Sequence, residues 1–264
     1  MSSAFFRFRP SLLLTALLVC GCASAPKFRP GEALAKGETP VFPPAPDSLR
    51  CELELTAFGG GRKSSVSAAF SAKPRLAYKL DLFGLPGMVA GSFLWSEDKW
   101  TLVVFDRDEY SEGQGEHVQI GNLGLKEVSV HDVFSFLWGD FFPGALPRAE
   151  GPVGGVPDGL ARVEGAGPGV FTYPGKHVAW RVTLDPATGL VREAARGDSA
   201  LRIEYGDYRA GSGAADHARP VPRKVKLFRF REQALEIRVK SVEDAPKWRR
   251  DPFFIKVPKG FRRV

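Results

Sequence analysis

The chain has 264 residues, 44% of them hydrophobic and 25% charged, and carries a formal net charge of +7. It is long enough for one large domain or two small ones, and we favour one. The positive excess lies late in the sequence, where residues 219–264 contain 15 Lys and Arg against 5 Asp and Glu. Such a surface could contact anionic headgroups or an acidic partner, or only keep strand faces solvated. Nucleic acid is not an expected partner.

The N-terminus predicts an export signal. Arg7 and Arg9 precede an apolar run at residues 12–19, which is too short for a bilayer core that needs about 20 residues. The next residues, Val19-Cys20-Gly21-Cys22, resemble the bacterial lipobox, in which a small residue precedes a cysteine that is diacylated, with palmitate among the expected chains. Gly21 makes Cys22 the better candidate, because bulky Val19 precedes Cys20. Cleavage of an ordinary secretory signal near residues 23–25 is the alternative.

The lipobox resemblance implies a lipoprotein anchored through Cys22 at the periplasmic face of the outer membrane, because Ala23 replaces the aspartate that tends to retain such proteins at the inner membrane. Each buried methylene contributes about 0.8 kcal/mol, so two or three acyl chains hold a protein firmly. The expected organisation is a signal peptide at 1–21, an acylated cysteine with a Pro-rich tether at 22–48, and a folded domain at 49–264. Cys51 would then have no disulfide partner.

From Arg50 onward the dominant period is two, which predicts half-buried strands in an antiparallel meander with one solvated face. The residues Phe-Gly-Gly-Gly-Arg at 58–62 predict the first hairpin turn. The predicted strands cover 52–57, 65–71, 75–82, 89–95, 100–105, 117–120, 170–173, 177–184, 190–195, 201–205, 223–231 and 234–242.

One helix and one long loop interrupt this pattern. Ser129 begins a capping-box sequence, and the apolar residues after it predict a short helix at 130–138 that packs on the sheet. Residues 144–169 are rich in Gly and Pro and predict a long loop, either functional or a tolerated insertion.

The sequence lacks the groups that catalysis or a metal site would need. The four histidines are scattered without zinc-ligand spacing, and no nucleophile elbow, phosphate-binding loop or dinucleotide fingerprint is present. Asp106, Asp108 and Glu109 could form a carboxylate pair, but a short acidic stretch between strands is typical of a hairpin turn. We therefore expect no enzyme, no metal and no other cofactor.

Several segments, taken in order, resemble the family of outer-membrane lipoprotein receptors LolB, within the LolA and LolB group of lipoprotein localisation factors. The resemblance implies a mainly β fold, an antiparallel half-barrel of about 11 strands with short covering helices. The segments are residues 75–104, Phe136-Leu137-Trp138-Gly139-Asp140-Phe141-Phe142-Pro143, Ile203-Glu204-Tyr205-Gly206-Asp207-Tyr208, Pro220-Val221-Pro222, the strand around Leu227, and Leu235-Glu236-Ile237-Arg238-Val239.

The resemblance implies protein transport by a chaperone-like receptor. A soluble periplasmic carrier similar to LolA would hand over lipoproteins, whose acyl chains would lie in an apolar cavity before insertion into outer-membrane lipid. Candidate lining residues alternate along the predicted strands, as plain core residues also would. They are Tyr78, Leu80, Leu82, Phe93, Trp95, Val178, Trp180, Val182, Leu201, Ile203, Leu227, Leu235 and Ile237.

The segment 81–89 combines turn-forming Gly and Pro with large apolar side chains, which is unusual because loop tips are normally polar. In LolB a protruding leucine of the corresponding hairpin is needed to deliver cargo, and Leu85 is the matching position, although the proline here stands on its other side. The candidate membrane-inserting residues are Leu82, Phe83, Leu85 and Met88. Alternatively, Phe83 and Leu85 fold back and plug one end of the half-barrel.

A second function remains open on the same scaffold. The long segment at 144–169 and the basic tail at 247–264 depart from the family pattern. They are compatible with a sensor or scaffold lipoprotein that docks on an envelope assembly through its basic C-terminal region.

Overall fold

The computed structural model describes residues 48–73, 76–85, 87–115, 160–167, 169–174, 179–188, 190–198, 200–210, 220–244, 246–248 and 250–264. These residues form one sheet of 14 strands. The only helical element within these ranges is a short 3-10 turn at Phe105–Arg107. The predicted helix at 130–138, the predicted strand at 117–120 and much of the predicted loop lie outside the described residues, as do residues 1–47.

Each strand alternates between two faces. In β1, Leu49, Cys51, Leu53 and Leu55 are buried, whereas the residues between them are exposed or half-buried. The strands are β1 (Leu49–Gly59), β2 (Arg62–Lys73), β3 (Ala77–Phe83), β4 (Val89–Ser96), β5 (Lys99–Val104), β6 (Glu109–Gln114), β7 (Ala161–Arg162), β8 (Val170–Tyr173), β9 (Trp180–Leu184), β10 (Val191–Arg196), β11 (Leu201–Ala210), β12 (Pro220–Arg229), β13 (Glu232–Asp244) and β14 (Arg262–Arg263).

The strands follow the order β14-β6-β5-β4-β3-β2-β1-β13-β12-β11-β10-β9-β8-β7. All neighbours are antiparallel except β14, which runs parallel to β6. The first strand therefore lies inside the sheet, where it pairs with β2 on one side and β13 on the other. The two ends of this order, β14 and β7, are not paired with each other, so the sheet is open.

One face of the sheet carries a continuous apolar core. The buried side chains of this cluster come from both halves of the sheet, from Leu102 on β5 through Leu55 on β1 to Phe171 on β8. We call this the inner face, and the opposite one the outer face. The predicted division into one buried and one more polar face is confirmed.

Three strands were missed by the sequence analysis. β6, with the sequence Glu-Tyr-Ser-Glu-Gly-Gln, has no apolar alternation, and none of its residues is fully buried. β7 and β14 contain two residues each and depend on pairing with a neighbour. The acidic stretch predicted as a turn forms the 3-10 turn up to Arg107, and its last residue, Glu109, begins β6.

Successive hairpins place their turns at alternate ends of the sheet. The turns β1–β2, β3–β4, β5–β6 and β12–β13 share one end, which we call the hairpin end, whereas Ser48 and the β2–β3 connection lie at the opposite end. The predicted first hairpin turn is confirmed. Gly60 and Gly61 connect β1 to β2 with φ of 58° and 72°, a left-handed conformation that glycine adopts without strain.

The basic C-terminal segment is part of the fold. Beyond β13, the ring of Phe253 lies 5.1 Å from Lys73 Nζ at the end of β2, and the ring of Phe261 lies 6.0 Å from that of Phe105. Val264 N then donates a 2.9 Å hydrogen bond to the Tyr110 carbonyl on β6. The segment therefore crosses from the middle of the sheet to its β6 edge and is fixed there.

Leu55→Ala tests the packing at the centre of the sheet. We expect it to lower the free energy of unfolding by about 2–5 kcal/mol, because it removes a side chain that is 1% exposed. The same truncation at Leu76, which is 67% exposed, serves as the control and should change stability by less than about 0.5 kcal/mol. Urea unfolding measures both, and equal effects would contradict the assignment of the inner face.

Candidate functional site: an apolar sheet face and its exposed hairpin tip

The predicted cavity residues share the inner face. Twelve of the thirteen lie within the described residues, and all twelve are buried members of the same core cluster. Val178 lies outside the described residues, as does the predicted lipidation site, Cys22. The cluster covers β3 and β4 in one half and β9 and β11–β13 in the other. The residues selected by the alternating pattern therefore lie together on one surface of the sheet.

The inner face combines large rings with small side chains. Tyr78 and Trp95 are directly paired on β3 and β4, with ring centroids 5.6 Å apart. The Trp95 Nε1 atom donates a 3.3 Å hydrogen bond to the Gly115 carbonyl. On the neighbouring β2, the inner positions include Ala68 and Ala72, whose short side chains occupy little volume between the large ones. The inner face therefore offers hydrocarbon no polar group, and its side chains are almost completely buried in this structure.

Two tyrosines of β11, one buried and one half-buried, belong to the site and were missed. Tyr205 continues the alternation of Leu201 and Ile203 along β11 and is part of the core cluster, and Tyr208 packs against that cluster. The Tyr208 hydroxyl donates a 2.6 Å hydrogen bond to the Val191 carbonyl. Burial raises the pKa of both phenols above its usual range, so both stay neutral. The period of two along β11 was a sufficient signal for Tyr205.

The β3–β4 tip is a tight turn that presents two apolar side chains to solvent. Gly84 N donates to the Met88 carbonyl at 3.1 Å, and Met88 N donates to the Leu85 carbonyl at 2.9 Å. Gly87 has φ of 79°, a left-handed conformation that glycine adopts without strain. Leu85 is 67% exposed and Met88 61% exposed. The turn therefore holds both side chains outward in a defined geometry.

The other two residues predicted for this loop lie in β3. Leu82 is 1% exposed on the inner face, so its assignment to the membrane-inserting tip is corrected, and it belongs with the lining. Phe83, the next residue, points to the opposite face and is half-buried. The period of two in a strand places neighbouring residues on opposite faces. Leu85 does not fold back as a plug, because most of its side chain is in solvent.

The outer face of the central strands carries ion pairs. Lys240 Nζ lies 2.6 Å from Glu54 Oε2 across the β1–β13 pair, and Glu236 lies 2.9 Å from Arg238 Nε and 3.6 Å from Lys224 Nζ. Some of the basic side chains in residues 219–264 therefore form ion pairs with carboxylates. The alternative in which this basic region docks on an envelope assembly stays a prediction.

These ion pairs shift the acidic pKa values. The hydrogen bond from Lys240 lowers the pKa of Glu54, against a smaller opposing effect of burial. For Glu236, burial is the largest single influence and raises the pKa, but the hydrogen bond from Arg238 and the charge of Lys224 together outweigh it, so the pKa is lowered. Both side chains are thus held as carboxylates at neutral pH.

The described residues offer neither a metal site nor a membrane-spanning helix. Within the described residues, no group of three or more His, Cys, Asp or Glu side chains is arranged to hold a metal ion. No helix in this part of the chain is both long and apolar enough to cross a bilayer.

Comparison with known proteins supports the fold alone. No family model and no curated protein matches this sequence. A putative outer membrane lipoprotein-sorting protein domain from Vibrio parahaemolyticus has a similar structure, with a TM-score of 0.50, 8% identity, and coverage of 78% of this chain and 88% of that chain. A DUF1329 family protein from Desulfovibrio piger gives a TM-score of 0.49, 9% identity, and coverage of 76% and 86%. A LolA superfamily protein from Nitrosomonas europaea gives a TM-score of 0.46 and 9% identity, with coverage of 76% of this chain and 88% of that chain.

The predicted fold class is confirmed. The chain is mainly β, its sheet is wide and open rather than closed into a barrel, and its fold is similar to that of the Vibrio domain. At 8% identity, this similarity shows the fold and not the family.

Glu54→Gln tests the outer-face ion pairs. A lowered carboxyl pKa contributes stability that is present above about pH 4.5, the usual value, and is lost as the pH falls through the lower folded pKa. The variant should therefore be less stable than the parent at pH 7 and lose less stability between about pH 5 and pH 3. Urea midpoints across this range measure the difference. Glu52→Gln, at an exposed position of the same strand, is the control, and identical acid profiles for Glu54→Gln and the parent would contradict the prediction.

Proposed function

We propose that this chain is an outer-membrane lipoprotein receptor, anchored through Cys22. It accepts the acyl chains of lipoproteins from a soluble periplasmic carrier on its inner face and inserts them into the outer membrane. The activity is binding and transfer without catalysis. The observation that carries the proposal is the β3–β4 tip, where Leu85 and Met88 are exposed beside an apolar face.

The tip supports a role at a membrane because the exposure of its apolar side chains to water is energetically unfavourable. Two large apolar side chains at a turn lose the hydrophobic contact that either could gain by burial, which is about 1.5–3 kcal/mol for a side chain of this size. The hydrogen-bonded turn holds them outward rather than letting them collapse onto the sheet. Insertion into a bilayer would recover this free energy.

The inner face supports a role in acyl-chain binding. It is apolar across both halves of the sheet, and a hydrocarbon chain needs such a surface and no specific polar partner. The Vibrio domain with a similar structure is named as a putative lipoprotein-sorting protein domain, which agrees with this role. Transfer would then be an exchange between apolar sites, from the carrier to this face and on to the bilayer.

Leu85→Glu tests delivery to the membrane. We expect lipoproteins to reach the outer membrane at least about tenfold more slowly, because a charge replaces the apolar contact of the tip with lipid. Membrane fractionation after a pulse of lipoprotein synthesis measures the rate. Leu76→Glu is a matched control, since Leu76 is also 67% exposed but lies at the opposite end of the sheet.

The two variants must differ for the proposal to stand. Normal rates in Leu85→Glu, or equal defects in both variants, would contradict the assigned role of the tip. Normal sorting in cells depleted of this protein would contradict the receptor function itself.

Ala68→Phe tests whether the inner face receives an acyl chain. Ala68 is 3% exposed on the inner face, and its neighbour Ala69 is half-buried on the outer face. The added ring at position 68 should occupy the acyl site and weaken binding of a fluorescent fatty-acid analogue at least about tenfold, with a loss of stability below about 1 kcal/mol. Ala69→Phe, the control, should bind normally.

The opposite result has a clear meaning. A fully packed inner face would be overfilled by Ala68→Phe, which costs about 1–3 kcal/mol of stability, and the parent protein would not bind the analogue. Fluorescence titration together with urea unfolding separates the two cases. The second result would leave the half-barrel as a scaffold without a lipid site.

A further inference from the structure

A second exposed apolar side chain stands at the hairpin end, on the other half of the sheet. Phe230 is the first residue of the two-residue connection between β12 and β13 and is 65% exposed. Arg229 and Arg231 flank it, and the Arg229 guanidinium lies 5.7 Å from the centre of its ring. An aromatic ring between two cations suits the boundary between lipid headgroups and acyl chains.

The backbone at Phe230 adds an independent observation. Its φ is 57°, in the left-handed region that bulky residues rarely adopt. The other non-glycine residues with positive φ in the described part of the chain are all Asp or Glu. A turn selected for stability alone would carry Gly or Asn at this position. Phe230 therefore costs stability both in its backbone and in its exposed ring, which points to a role outside the fold.

The neighbouring turn carries further cations. Ala57 on β1 pairs with Leu235 on β13, and within three or four residues of this pair both strands reach their turns at the hairpin end. The β1–β2 turn there exposes Arg62 and Lys63, and Lys63 Nζ lies 5.9 Å from the ring of Phe58. Within the described residues, neither Arg62 nor Arg231 takes part in an ion pair.

We propose that the tips of the β1–β2 and β12–β13 hairpins form a docking surface for anionic phospholipid, made by Arg62, Lys63, Arg229, Phe230 and Arg231. Within the two hairpin tips, four cations stand against one acid, Glu232, which gives the surface its charge complementarity to headgroup phosphates. Asp198, in the adjoining β10–β11 turn, is paired with Arg196 at 2.7 Å. The exposed ring favours a bilayer over an acidic protein, because it can enter the apolar layer beneath the phosphates. This surface is distinct from the β3–β4 tip and does not depend on the transfer function.

The test uses the full chain reconstituted on vesicles, with local hydrogen–deuterium exchange as the readout. We expect peptides that cover residues 58–64 and 228–233 to exchange more slowly on vesicles with phosphatidylglycerol than on phosphatidylcholine alone. The protection should decrease as salt is raised, since exposed charges are screened. Each cation near an anionic surface changes affinity about fivefold, so Arg62→Gln with Arg231→Gln should weaken docking about 25-fold. The control removes two exposed charges at the opposite end, Lys99→Gln with Lys247→Gln.

A second variant separates docking from folding. Phe230→Asn suits the left-handed backbone, so it should leave the urea midpoint unchanged or raise it while removing the protection on anionic vesicles. Equal protection on neutral and anionic vesicles, or protection that survives both sets of substitutions, would overturn the proposal. An unprotected surface would overturn it as well and would leave an acidic protein as the partner. Because the assay contains no cargo or carrier, its failure is distinct from a failure of the transfer function.

Discussion

The pairing of β1 with β13 holds the two halves of this sheet together. It joins Leu49 to Asp244 and continues to Ala57 and Leu235, so residues almost 200 positions apart in the sequence are direct neighbours. Every other pair in each half is local, apart from the β14 addition at one edge. The inner face exists as one surface only because this pairing aligns β1–β6 with β7–β13. Both the apolar lining and the set of turns at the hairpin end depend on it.

The central pair also shows how the sheet separates its two environments. On the inner side, Leu53 and Leu55 face the core cluster, whereas on the outer side Glu54 forms an ion pair with Lys240 on β13. The same alternation carries apolar contact on one face and charge on the other. Among the residues that the structure describes, the large apolar side chains that are exposed lie at turns, in connecting segments or at the C-terminal residue, and Leu85, Met88 and Phe230 lie at turns of the hairpin end. We therefore assign function to that end rather than to a polar pocket.

The sequence was most informative where the physical signal is local. A period of two places Leu80 and Leu82 on the same face, and Gly60 with Gly61 specifies a tight turn, so strands, faces and the first hairpin were predictable. β6 and β14 were not, because Glu109 and Arg262 belong to strands through long-range pairing that leaves no local pattern. The same limit explains why Phe230 was not predicted as a turn residue. Phe230 sits within a predicted strand, and only the register of β12 and β13 shows that it is a turn residue.

The position of Ser48 sets a geometric condition on the proposed receptor. Ser48, the first described residue, lies at the opposite end of the sheet from the turns that we assign to the membrane. A strand of 13 residues such as β13 spans about 43 Å, whereas the 25 residues between Cys22 and Ser48 could reach at most about 90 Å if fully extended. An anchor at Cys22 therefore allows the hairpin end to face the bilayer only because the predicted tether exceeds the height of the sheet about twofold. A Pro-rich segment meets this condition, since proline favours extended chain over collapse.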